Sequence, residues 1–148
     1  VGRNSKLLLN VPPTRAGLLH DADVASLLGM RARLDALFAR DHAAGSSARW
    51  RATGARSAEM ILELPAVADV GIVDLREDIT KGQRVARYRL DASGTDDGGA
   101  WRTIARGTTI GFRRLERVEP SRVRRLRLTI EDSVEFPDFV RVGCFSAP

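Results

Sequence analysis

The chain is short of cysteine, lysine, histidine and aromatic rings, and each shortage removes a class of function. One cysteine, Cys144, rules out an internal disulfide and any zinc site built from several thiolates. His20 and His42 stand 22 positions apart, far from the spacing with which a helix holds a metal. Aromatic residues make up 5% of the chain, which leaves few platforms for stacking on bases or sugars. No apolar run approaches the ~20 residues of a membrane-spanning helix, so no membrane span is expected. No Gly-x-Ser-x-Gly elbow supports a serine hydrolase.

What is present is ordinary globular composition, 43% hydrophobic and 29% charged, in 148 residues, enough for one domain and an appendage. The net charge of +5 comes from 22 Arg against 2 Lys, a skew that reads as codon habit. The surplus is local: Arg113 to Arg127 holds seven Arg and two Glu. There Arg124, Arg125 and Arg127 alternate with Val123, Leu126 and Leu128, the pattern of a solvated sheet face, and Phe112 is the one ring nearby. Nucleic acid is therefore not expected as a partner. A surface for anions or sulfated glycans is the alternative reading of that segment.

Leu7, Leu8 and Leu9 are followed by Asn10 and closed by Pro12-Pro13. Three leucines leave no polar face, as in a strand buried on both sides of a helix-covered parallel sheet, so Leu7–Val11 is expected as a strand. One strand cannot make such a sheet, and Val1 stands where Met would begin a chain; the expectation is of neighbouring strands upstream in a longer parent, or of pairing with a partner chain. A helix follows, capped by Asp21 or Asp23 and ending by His42. Its apolar face comprises Val24, Leu27, Leu28, Met30, Leu34, Leu37 and Phe38. Ala43-Ala44-Gly45-Ser46-Ser47 reads as a linker, dividing residues 1–47 from 48–148.

Beyond it the apolar period becomes strand-like. Strands are expected at Met60–Leu64, Val70–Leu75, Arg84–Leu90, Arg102–Arg106, Thr109–Leu115, Arg122–Ile130 and Val140–Phe145, with Pro65 and Pro120 between runs. Asp91–Gly99 is expected as an exposed hairpin tip. The fold class is mainly β, an antiparallel sandwich or jelly roll of galactose-binding-like type, preceded by one strand and one helix.

Four stretches in order, Asn4–Pro13 (NSKLLLNVPP), Leu75–Val85 (LREDITKGQRV), Trp101–Gly111 (WRTIARGTTIG) and Val123–Ile130 (VRRLRLTI), resemble the C-terminal part of glycoside hydrolase family 29 α-L-fucosidases. Ser5-Lys6 departs from the family's more frequent Gly-Asn. The resemblance implies that residues up to about 42 close a (β/α)8-like catalytic barrel and that the remainder is the accessory β-sandwich. It implies a retaining hydrolase of terminal α-L-fucose in glycoconjugates, with the upstream barrel of the same protein as partner. Both catalytic carboxylates would lie outside this segment, and no cofactor would be used. A periplasmic or extracellular location follows from the same resemblance, and an oligomer is compatible with it.

No catalytic residue is therefore assigned. Asp21 and Asp23 read as caps, and Glu77 and Asp78 as structural partners of Arg76 and Arg84. Two substrate-binding candidates remain. Asn10 ends what would be a barrel strand, where barrel chemistry gathers, although an Asn before Pro-Pro also simply bonds its turn. Trp101 could stack on a sugar or fill the core. A free-standing carbohydrate-binding module is the runner-up function.

Overall fold

The computed structural model describes residues 2–3, 5, 7–94, 98–137 and 140–147. Asn4 and Lys6 of the first matched stretch, and 95–97 of the expected hairpin tip, lie outside the described residues.

The expected Leu7–Val11 strand is not formed. Residues 7–13 are irregular, and Leu7, Leu8 and Leu9 are 56%, 93% and 48% exposed. A parallel strand takes its hydrogen bonds and its cover from neighbours on either side, and among the described residues it has none. The helix α1 (Asp21–Leu37) does form. Its cap is His20 rather than an aspartate: the imidazole Nδ1 accepts from the Ala22 N–H at 3.1 Å. Asp21 and Asp23 fall in the first turn instead, where a carboxylate opposes the positive helix end. No α1 residue is buried: of the apolar face read from the sequence, Val24 and Leu28 are exposed, and Leu27, Met30, Leu34 and Leu37 are half-buried.

Six antiparallel strands follow: β1 (Ser47–Gly54), β2 (Ser57–Glu77), β3 (Val85–Ser93), β4 (Arg102–Gly107), β5 (Arg114–Ser133) and β6 (Val140–Phe145). Their order is β1-β2-β5-β3-β4, with β6 on the second half of β2. The expected runs Met60–Leu64 and Val70–Leu75 are thus one strand through Pro65, and β5 runs through Pro120 from Arg114, ahead of the expected start at Arg122. The β2–β5 register breaks between Glu63 and Ala68 and between Val70 and Ile72, and Pro65 and Pro120 sit in those unpaired stretches. A residue without an N–H costs no ladder bond there, so it bends the strand instead of ending it. Most of the expected Thr109–Leu115 strand is a turn, and β1, with only Trp50 half-buried, is an edge strand that carries no alternating apolar signal.

The long strands carry the sheet back over itself. Tyr88 pairs in register with Ile130, yet its hydroxyl donates to the Glu116 carboxylate, fourteen residues earlier on β5. A straight strand would put those positions roughly 45 Å apart, so β5 must double back and Tyr88 spans the interior between two leaves. Met60, Leu62 and Leu64 of β2 and Leu126, Leu128 and Ile130 of β5 fill that interior. Arg125, Arg127, Thr129 and Glu131 alternate with them as the sequence pattern required. Asp91, Ala92 and Ser93 are buried within β3 rather than exposed at a tip.

The junction at 38–46 is hydrogen-bonded to β6. The His42 N–H donates to the Cys144 carbonyl at 2.8 Å, and Asp41 Oδ1 accepts from the Cys144 and Ala43 N–H groups, both at 2.9 Å. Phe38 meets Phe145 edge to face at 5.0 Å, and the Arg113 guanidinium lies 4.6 Å from the Phe38 ring.

Candidate functional site

Trp101 sits just before β4, half-buried, with the guanidinium carbons of Arg127 and Arg125 at 4.6 and 5.2 Å from its ring. Both arginines are fixed from behind. Arg127 bonds Asp91 at 2.9 Å, and Arg125 Nη2 donates to Ser93 Oγ and the Gly99 carbonyl, each at 3.2 Å. Asp91, 2% exposed, also accepts from Thr103 Oγ1 at 2.7 Å and from Arg89 at 3.2 Å. Burial by itself would raise this carboxyl; the bonds from Thr103, Arg127 and Arg89 outweigh it and hold it below the ordinary carboxylate range. The indole thus makes cation–π contacts with two guanidiniums that are themselves held in place.

Asn10 is exposed, and among the described residues it forms no hydrogen bond. The structure does not bring it together with Trp101 in the groove described below, which neither lines.

The remaining buried carboxylates are also engaged. Glu77, 7% exposed, accepts from the Arg84 and Val85 N–H groups through Oε1 at 2.5 and 2.9 Å and from the Gly111 N–H through Oε2 at 3.1 Å. Its expected ion pairs are replaced: Arg76 pairs with Asp74 at 2.9 Å and Arg84 with Glu135 at 3.1 Å. Asp74, 3% exposed, is bound by Arg113 as well, at 2.9 Å. Glu116 takes the Tyr88 hydroxyl and Arg114. Burial and the Glu116 charge push that phenol well above its ordinary value. Asp78 is exposed and caps its own turn through the Thr80 N–H and hydroxyl, which lower its pKa. Burial, with Asp41 nearby, pushes the Cys144 thiol up, so it stays a neutral core residue.

A groove the sequence does not announce lies between the end of α1 and the residues after β6. It encloses about 580 Å³, with Leu34, Leu37 and Ala147 in its walls and Arg33, Arg40 and His42 beside them. His42 Nε2 lies 3.0 Å from Ser146 Oγ, and Ser146 donates to the Asp69 carbonyl at 3.0 Å. With its proton committed, the hydroxyl accepts from His42 Nε2–H, which assigns the tautomer. The groove joins positions more than a hundred residues apart, so no local sequence signal could have found it.

Fold and site together define an antiparallel β-sandwich flanked by a helix whose apolar side chains are exposed or half-buried, its buried carboxylates tied to arginine or to backbone. No family model matches the chain. It is 28% identical over 173 residues to a rice (Oryza sativa subsp. japonica) protein provisionally named α-L-fucosidase 1, covering 99% of this chain and 33% of that one. It is 27% identical over 176 residues to α-L-fucosidase 1 of Arabidopsis thaliana, covering 98% of this chain and 34% of that one. The solved structure of a glycoside hydrolase family 29 member from an unknown rumen bacterium superposes with a TM-score of 0.80 at 27% identity, over 99% of this chain and 26% of the other. The chain is thus related to the α-L-fucosidases of glycoside hydrolase family 29, as the four stretches suggested, and spans about a third of the length of the curated relatives it matches.

Proposed function

We propose that this chain is the closing part of a family 29 α-L-fucosidase, with residues 1–47 completing the catalytic barrel and 48–148 forming a sandwich that buttresses it. The intact enzyme removes terminal α-L-fucose with retention, using two carboxyl groups about 5 Å apart on the part that this chain does not include. Here the chain's role is support. The observation that carries the reading is the apolar surface of Leu7, Leu8 and Leu9, with Val24 and Leu28 of α1, which this molecule leaves exposed. Large contiguous apolar surface of that kind marks an interface. The buried carboxylates Asp74, Glu77 and Asp91 support it too, because both oxygens of each accept from arginine, hydroxyl or backbone donors.

An aryl fucoside assay tests this. The 148-residue chain should give no turnover and the complete parent reading frame should hydrolyse the substrate. Turnover by the pure chain overturns the supporting role, and an inactive parent overturns the fucosidase assignment. Affinity of the chain alone for fucose or galactose glycans favours the carbohydrate-binding module instead.

A further inference from the structure

Most arginines in this molecule have an acidic partner: Arg31 with Asp35, Arg51 with Glu59, Arg56 with Asp132, Arg113 with Asp74, Arg124 with Glu63. Arg33 and Arg40 are among those that do not, and they stand out by their place. Both stand on the groove at the end of α1, and among the described residues neither has an ion pair or hydrogen bond. No Asp or Glu is among the residues lining that groove. Arg33 lies in the last turns of α1, and Arg40 lies three residues beyond its end at Leu37. Asp41 and Asp69 line the adjoining cavity with Arg40, yet neither pairs with it, and guanidiniums without an ion-pair partner beside apolar walls are complementary to something acidic and partly apolar. The apolar stripe of Leu27, Met30, Leu34 and Leu37 leads from the groove along α1, and none of the four is buried, which suits an elongated occupant better than a compact small molecule.

We infer that the groove seats an acidic, apolar segment from the preceding part of the parent polypeptide, its carboxylates pairing with Arg33 and Arg40 while its apolar side chains meet Leu34 and Leu37. This rests on the reading of the chain as part of a longer enzyme, about two thirds of whose relatives' length lies outside the match. His42 and Ser146, already bonded to each other, form one wall of the seat and need no partner from the occupant.

The two claims separate experimentally. Arginine labelling with phenylglyoxal, read by peptide mass spectrometry, is compared between the 148-residue chain and the intact parent protein. In the chain alone Arg33 and Arg40 should react at the rate of exposed arginines; in the intact protein both should react at least about tenfold more slowly. The double variant R33E/R40E should leave the melting temperature of the chain alone unchanged, since neither arginine has a partner in it, and lower that of the intact protein, less so in high salt. Undiminished labelling, or an intact R33E/R40E protein as stable as its parent, in a protein that hydrolyses aryl fucoside, overturns the groove's role and leaves the enzyme assignment standing. An intact protein without fucosidase activity overturns the assignment itself, and slowed labelling in that protein still supports an acidic occupant of the groove.

Discussion

Glu77→Gln tests whether this carboxylate is a structural clasp. Its two oxygens collect three backbone N–H groups, from Arg84, Val85 and Gly111, and close the turns at 78–84 and 108–113 onto the end of β2. Gln preserves the shape and supplies one acceptor oxygen. In its better orientation that oxygen keeps Arg84 and Val85, and the new NH2 then faces the Gly111 N–H, donor against donor. One charge-assisted bond of about 1.5–3 kcal/mol is lost and a buried N–H is left unsatisfied, so a destabilisation of about 2–4 kcal/mol is expected. For a chain of this size that is a fall in melting temperature of about 6–12 °C. Urea unfolding of the 148-residue chain measures the loss, and amide exchange should speed first at Gly111. A loss within 0.5 kcal/mol, together with unchanged Gly111 exchange, refutes the clasp.

Asp91→Asn should cost about 2–4 kcal/mol, because Arg89 and Arg127 lose a buried counter-charge; urea unfolding checks it. The carboxyl's folded pKa is depressed, so its stabilisation is fully present above the unfolded value of about 4 and is lost as pH falls through the lower folded value. Acid unfolding of the native chain should therefore steepen below about pH 4, and the Asn variant should show less of that slope. Gly107→Ala should cost about 1–3 kcal/mol, since a Cβ there would lie 2.4 Å from the hydroxyl of the fully buried Tyr88; a neutral result by thermal melting would show that the ring can yield. Replacing Leu7, Leu8 and Leu9 by Ser should change the stability of the chain alone by less than about 0.5 kcal/mol and destabilise the intact parent, as parallel melts would show.

Period and punctuation in the sequence were enough for α1, for strands over most of Met60–Leu64, Val70–Leu75, Arg84–Leu90, Arg102–Arg106, Arg122–Ile130 and Val140–Phe145, and for which side of Arg125–Glu131 faces inward, because side-chain alternation is a local property of the backbone. The four family stretches, too, are legible without coordinates. Local order could not reveal that Pro65 and Pro120 bend strands rather than end them, since whether a missing N–H matters depends on what lies opposite it in the ladder. Nor could it reveal that Glu77 holds backbone instead of arginine, that Trp101 makes cation–π contacts with Arg125 and Arg127, or that the end of α1 meets Ser146 across a groove. Those contacts join residues far apart in the chain and exist only once the sheet has folded over. Leu7–Leu9 mark the boundary between the two kinds of knowledge: their pattern specifies a buried strand, and burial needs neighbours that these three residues cannot supply for themselves.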